Sequence, residues 1–323
     1  MSKSPVPGSI ALVLLTALAL SACSPRSATP SQPKDTGPSP AQPAPATADT
    51  ISIGEHSGIA LRDGALDFPN DNKVFGVGRT TEDVAGLLAA AGLPGDKVSL
   101  SISPLLVRTA DRTLLFDTGA GTNFGPSAGN LAQSLADAGV DADRITDVFL
   151  SHVHGDHAGG LINAEGALSF PNATIHIASP DWEMLRALNA ETAASMGLTQ
   201  HAQLVAAITS KVVAFEPGAD LIPGVVKAVA IRGHTPGHSG FLIGPGDNSL
   251  LYTGDAMHHF IVSVQRPDWT IAFDQDAPTA EKSRGELLAQ LAASGQRIYA
   301  VHFPNPGVGK IARRGDSYVW VPE

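Results

Sequence analysis

Short apolar runs that end in polar, glycine-containing loops recur along most of this chain. Val98 to Val107 and Thr113 to Phe116 predict strands joined by a turn at Ala110-Asp111-Arg112. Asn130 to Ala138 predicts a helix with Leu131, Leu135 and Ala138 on one face. Asp147 to Leu150 and Thr174 to Ala178 predict strands. Pro180 to Leu188 predicts a helix, with Ser179 as N-cap and Pro180 at its first position. Val225 to Ile231, Gly240 to Ile243, Ser249 to Tyr252 and Ile298 to Val301 predict further strands, and Ala280 to Ala293 a helix with Leu287, Leu288 and Leu291 inward. Several strands are separated by tight turns rather than helices. The expected class is therefore α/β, with two mixed sheets packed together and covered by helices.

The first 50 residues break the pattern. Lys3 supplies a thin positive start, and Ile10 to Leu20 is an apolar stretch too short to span a bilayer. Leu20-Ser21-Ala22-Cys23 looks like a bacterial lipobox, which is cut before a cysteine that then carries lipid. Residues 1–22 are read as a lipoprotein signal peptide; a secretory signal with a chance cysteine is the alternative. Ser24 after the lipidated Cys23 resembles outer-membrane sorting in a Gram-negative host, with the protein on the periplasmic side of the cell envelope. Cys23 is the only cysteine, so a disulfide framework and a thiolate metal site are both excluded. Residues 23–50 are rich in Pro, Ser, Ala and Thr and read as a flexible tether. Residues 51–323 suit one catalytic domain. The formal net charge is −10, and loss of Lys3 with residues 1–22 takes it to −11. An acidic chain without basic clusters argues against a nucleic-acid partner. No second apolar stretch is long enough to cross a membrane, so contact with one is expected through the lipid anchor only.

The chemistry concentrates in Ser151-His152-Val153-His154-Gly155-Asp156-His157. Four metal-capable side chains within six residues suit zinc and its borderline neighbours. In an extended loop His152 and His154 point the same way, while Asp156 and His157 turn toward another point. One loop can therefore serve two ions. Three later segments offer further donors: Gly233-His234-Thr235-Pro236-Gly237-His238, Tyr252-Thr253-Gly254-Asp255, and His302. Each follows the end of a predicted strand, where functional loops sit. No Gly-x-Ser-x-Gly elbow or usable cysteine supplies a nucleophile. His238 reads as support for the site rather than a ligand, His258 as a pocket or hydrogen-bonding residue, and His56, His176 and His201 as surface or strand-end residues.

This set resembles the metallo-β-lactamase-fold superfamily, whose pattern is H-x-H-x-D-H, then His, then Asp, then His. The resemblance implies an αββα sandwich over about residues 51–323. It implies one metal on His152, His154 and His234, a second on Asp156, His157 and His302, and Asp255 bridging both. Asp156 and Asp255 are then the catalytic carboxylates. Asp117, in Leu114-Leu115-Phe116-Asp117-Thr118-Gly119, matches a family turn whose aspartate orients ligand histidines. The ions are expected to be zinc, with manganese, iron or cobalt as alternatives.

Phe124-Gly125-Pro126, Ala158-Gly159-Gly160-Leu161, Phe170-Pro171-Asn172-Ala173 and Pro306-Gly307-Val308-Gly309 bring the chain nearest the methyl parathion hydrolase and lactonase-like branch. That branch implies substrate-pocket positions at Phe68, Phe124, Trp182, His258 and Phe273, and a homodimer as the oligomer to expect. An aromatic pocket favours hydrophobic lactones or aryl esters. The branch's organophosphate hydrolases tend to be leucine-lined, so phosphotriester hydrolysis is expected as a secondary activity. The rivals are a phosphotriesterase proper, an iron-dependent persulfide-dioxygenase-like enzyme using His152, His234 and Asp255, a true β-lactamase, and a non-catalytic binding lipoprotein.

Overall fold

Residues 49–323 are described in the computed structural model; the expected signal peptide, Cys23 and nearly all of the expected tether lie outside them. Asp49 and Thr50, read above as tether, already belong to the first strand. The first half runs β1 (Asp49–Ile53), β2 (His56–Ala60), β3 (Gly64–Pro69), β4 (Phe75–Val77), α1 (Thr81–Ala90), β5 (Lys97–Ile102), β6 (Leu105–Arg108), β7 (Thr113–Phe116), α2 (Leu131–Asp137), β8 (Asp147–Phe149), α3 (Gly155–Ala158), β9 (Thr174–Ala178), α4 (Ser179–Ala187), α5 (Ala190–Ser195), α6 (His201–Ile208) and β10 (Val212–Phe215). The second half runs β11 (Asp220–Ile222), β12 (Val226–Ala230), β13 (Ser239–Ile243), β14 (Leu250–Tyr252), α7 (Val262–Gln265), β15 (Thr270–Ile271), α8 (Ala277–Ser294), β16 (Arg297–Tyr299), β17 (Val308–Arg314) and β18 (Ser317–Pro322).

Two seven-stranded mixed sheets result, ordered β1-β2-β6-β7-β8-β9-β10 and β11-β12-β13-β14-β16-β17-β18. Alternation along the strands explains why they stack. Leu114, Phe116 and Phe149 face Phe241, Tyr252 and Tyr299 of the other sheet. Their neighbours Leu115 and Val148 face outward and pack with Leu135, Leu185, Leu204 and Ile208 from the helices. On the far side, Leu251 and Ile298 pack with Leu287, Leu288 and Leu291 of α8. Both faces of each sheet are buried, so the central strands read as continuous apolar runs. The architecture is the αββα sandwich.

Several boundaries differ from the sequence expectation. Val98 to Val107 is two strands, because Pro104 has no N–H to continue a ladder and the chain leaves β5, which pairs with β3, for β6, which pairs with β2 and β7. Ser179 is not the cap of α4 but lies inside it, its hydroxyl donating to the Phe215 carbonyl at 3.2 Å. α8 starts earlier than expected, where Asp276 accepts the Thr279 N–H. His176 is buried mid-strand rather than at the surface: it stacks on Phe149 at 4.5 Å, and its Nε2–H donates to Asp147 at 3.0 Å. Among the elements unread in the sequence, β3, β4 and α1 join β5 in an excursion whose Phe75, Val84, Leu88 and Val98 form a satellite core with Trp269 and Ile271.

Candidate metal centre and its cavity

Five strand ends of the sandwich deliver the site. β7 leads into Asp117, β8 into the 151–157 loop, β12 into His234, β14 into Asp255 and β16 into His302. Val153 is fully buried in the helix-side core. That anchor turns its neighbours His152 and His154 the other way, toward the space between the sheets' edges. The chain then enters α3 at Gly155, and the first helical turn swings Asp156 and His157 to a second point. Gly155 is required there, since a Cβ would run into the Gly197 carbonyl.

The seven candidate donors meet as two groups. His152 Nε2 lies 3.0 Å from His154 Nδ1, and His234 Nε2 lies 3.1 Å and 3.0 Å from the same two atoms. His157 Nε2 and His302 Nε2 lie 3.5 Å and 3.6 Å from Asp156 Oδ2. Asp255 stands between the groups. Its Oδ2 is 3.3 Å from His234 Nε2, while its Oδ1 is 3.2 Å from His157 Nε2 and 3.1 Å from His302 Nε2. The carboxylate thus offers one oxygen to each group.

This arrangement fits divalent cations and fits little else. Three neutral imidazoles turn ring nitrogens toward one point, and the His234 Nε2 there is a bare lone pair because its Nδ1–H is given to Asp274; His157 Nε2 and Asp255 Oδ1 are buried without a hydrogen-bond partner. Nitrogens on a tetrahedral ion with bonds of about 2.0–2.1 Å would stand roughly 3.3 Å apart, close to the spacing here. Burial pushes His152 and His234 well below the ordinary histidine range, and His154 down to about 4. Neutral imidazole is the form that ligates. Burial opposes charge on His157 too, but Asp255, Asp156 and Asp117 outweigh it and raise its pKa well above the usual value. Burial alone would lift Asp255; the imidazoles around it, His157 first, hold it well below the carboxylate range.

A supporting layer fixes each ring. Asp117, itself at φ 57°, accepts from the Ser151 N–H and hydroxyl, His157 Nδ1–H and the Tyr252 hydroxyl, each at 2.7 Å. His238 donates through Nδ1 to the Ile231 carbonyl at 2.8 Å and accepts the Asp255 N–H on Nε2 at 2.9 Å, which orients the loop carrying Asp255. His302 Nδ1–H donates to the Ser101 carbonyl at 2.7 Å. Two supporting carboxylates escaped the sequence reading. Asp274 accepts His234 Nδ1–H at 2.9 Å, and Asp181 accepts from Thr235 at 2.8 Å and the Gly237 N–H at 2.6 Å. No motif marks either one, and only the fold brings them under the His234 turn.

A cavity of about 90 Å³ opens on the two groups, with His154, Asp156, Asp255, His258 and His302 at its base and Leu66, Phe68, Leu100, Phe124, Met196 and Phe273 among its walls. Phe68, Phe124, His258 and Phe273 are therefore cavity residues. Trp182 is not: it packs against the helix-side core, with Arg186 5.4 Å over its ring. Its place in α4 turns it toward the helices. His258 is 1% exposed, with Nε2 3.2 Å from Asp255 Oδ2.

Comparisons with known proteins agree with this geometry. The solved structure of AidC, a dizinc quorum-quenching lactonase in complex with a product, N-hexanoyl-L-homoserine, superposes with a TM-score of 0.79 at 28% identity, covering 85% of this chain and 97% of that one. Over 80 residues the chain is 35% identical to N-acyl homoserine lactonase AiiB of Agrobacterium fabrum (19% of this chain), and over 79 residues 38% identical to ribonuclease Z of Salinibacter ruber (24% of this chain). It spans only 29% and 21% of those relatives' own lengths. The pattern of the metallo-beta-lactamase superfamily matches residues 100–302. That span runs from β5 to His302, more than half of the chain, and the protein belongs to this superfamily.

Proposed function

We propose that this protein is a two-zinc hydrolase of small hydrophobic lactones or aryl esters, with phosphotriesters as poorer substrates. The observation that carries the reading is the junction of a seven-donor floor with an apolar wall: the donors suit two cations, and the wall suits an uncharged, hydrophobic substrate. Bound there, divalent ions would polarise a carbonyl oxygen and lower the pKa of water. The protein's own part is placement. Asp255 presents one oxygen to each position and so holds the two in fixed relation. Asp156 and Asp255 both border the cavity, nearest the reacting atoms. Asp156, with 14% of its side chain exposed against 4% for Asp255, is the more open of the two to a substrate in the cavity. His258 lines the cavity, its ring makes no hydrogen bond that meets ordinary geometry and it has only Asp255 Oδ2 near its Nε2, at 3.2 Å, which supports a role in holding the substrate's oxygen. The complete second group of Asp156, His157 and His302 favours this reading over a single-iron oxygenase.

Phe68, Phe273 and His258 support a flat substrate over a tetrahedral one. Phe68 and Phe273 meet edge-on at 5.3 Å, and Phe273 lies 5.8 Å from His258, which narrows the approach to the floor. The likeness to AidC and AiiB supports the lactone class. The test is a panel of an acyl lactone, an aryl ester, a phosphotriester and a chromogenic β-lactam, assayed with zinc restored after chelation. Lactone or aryl-ester turnover is expected to exceed the other two by at least tenfold. Metal-independent turnover, or phosphotriester as the best substrate, would refute the reading.

A further inference from the structure

Helix α8 buries one charged residue on its apolar stripe: Ala280, Arg284, Leu287, Leu288 and Leu291 all face inward, and Arg284 is 1% exposed. A guanidinium is costly to bury unless its donors are used. Arg284 uses them on three segments. Nε donates to the Ala256 carbonyl at 3.0 Å, Nη1 to the Pro267 carbonyl at 3.0 Å, and Nη2 to Asp274 Oδ2 at 2.5 Å. The other oxygen of Asp274 accepts His234 Nδ1–H. Arg284 does not line the cavity. It nevertheless joins the residue following Asp255 to the carboxylate that holds His234.

The geometry points to Arg284 as a positioning residue for the metal position formed by His152, His154 and His234. The guanidinium fixes the Asp274 carboxylate, and the carboxylate fixes the His234 ring with Nδ1 protonated. The Nε2 lone pair is thereby aimed at the point where His152 and His154 also converge. The other position has supports of its own: His157 rests on Asp117, His302 on the Ser101 carbonyl, and Asp255, although its neighbour Ala256 meets Arg284, is held through its own N–H by His238. Loss of Arg284 therefore acts on one ion and spares the other. This inference rests on the two-ion reading above.

The test uses the Asp274→Asn/Arg284→Met double variant, which removes both charges and strands neither. Zinc affinity at each position is measured by competition with a chromogenic chelator, beside the wild-type chain, with the visible spectrum of the cobalt-loaded protein as a second readout. The double variant is expected to keep the wild-type far-ultraviolet circular dichroism and one zinc at wild-type affinity. It should hold the other roughly 10–100-fold more weakly, with a changed cobalt spectrum. Two zincs at wild-type affinity would overturn the inference. Arg284→Lys keeps a cation beside Asp274 but cannot also reach both carbonyls. It is expected to fold and to weaken the same position several-fold, and unchanged affinity there would equally overturn the inference. If the wild-type chain binds a single zinc, the two-ion reading fails, and the weakening of that one zinc in these variants still decides the role of Arg284.

Discussion

At the residue scale, the site is a problem in satisfying buried groups. Asp117 collects four donors on two oxygens, and two of them belong to the Ser151 backbone and side chain that open the metal-binding loop. Its left-handed backbone is one that Asp tolerates better than most side chains. Asp117→Ala would leave the Ser151 N–H, His157 Nδ1–H and Tyr252 hydroxyl buried without an acceptor. Such donors cost about 1–3 kcal/mol each, and the costs are not additive. We expect a loss of at least about 3 kcal/mol in urea unfolding, and a loss under about 1 kcal/mol would contradict the assigned role. Four of the candidate ligands were legible because they share the 151–157 loop, and His234, Asp255 and His302 because each follows the end of a predicted strand in the order of the superfamily pattern. Asp274, Asp181 and Arg284 were not, since each reaches the site from a distant segment. A signal for Arg284 did exist: it falls on the same helical stripe as Leu287, Leu288 and Leu291, and a lone charge on an apolar stripe requires a buried partner.

At the element scale, α4 is tied to the His234 turn by Asp181, which is fully buried. Burial pushes its carboxyl up to about 6, against the opposing pull of Thr235, Gly237 and Val153. A carboxyl whose pKa is higher folded than unfolded binds more protons in the native state, so its ionisation costs stability as pH rises from about 4 to about 6 and no more above that. The contribution is on the order of 3 kcal/mol. Asp181→Asn, whose amide can still accept from Gly237 and donate to Thr235, should flatten that part of the stability profile. Urea unfolding of both proteins across pH 4–7 checks this, and an unchanged slope would refute it. The central strands β5 to β9, β12 to β14 and β16 and the helices α2, α4 and α8 were legible from periodicity, whereas the outer strands β1, β2, β10, β11, β17 and β18 were not read. The failures fell where tertiary context decides: Pro104 passes the chain between two sheets, and the capping of α8 by Asp276 extends it beyond its apolar stripe. Trp182 misled because an aromatic near a site is more often core than wall.

At the scale of the whole molecule, the sandwich was legible because short apolar strands ending in polar loops leave few other ways to bury both faces of two sheets. The same topology explains why the site lies where it does. Loops after β7, β8, β12, β14 and β16 open at one edge of the two sheets, and residues more than a hundred positions apart, His302 and Asp156, meet there at 3.6 Å. The substrate was less legible, because Leu66, Phe68 and Leu100 enter the cavity from the β3–β5 excursion, which carries no motif. In the proposed function the 151–157 loop serves two metal positions joined by Asp255, and hydrolysis needs both. The direct measurement is lactone turnover by the metal-stripped protein as zinc is returned in fractions of an equivalent, with bound metal counted by mass spectrometry and Asp255→Ala run in parallel. Activity should rise until two zincs are bound per wild-type chain, and Asp255→Ala should never hold two. Full activity at one zinc per chain, or two zincs retained by Asp255→Ala, would contradict the account.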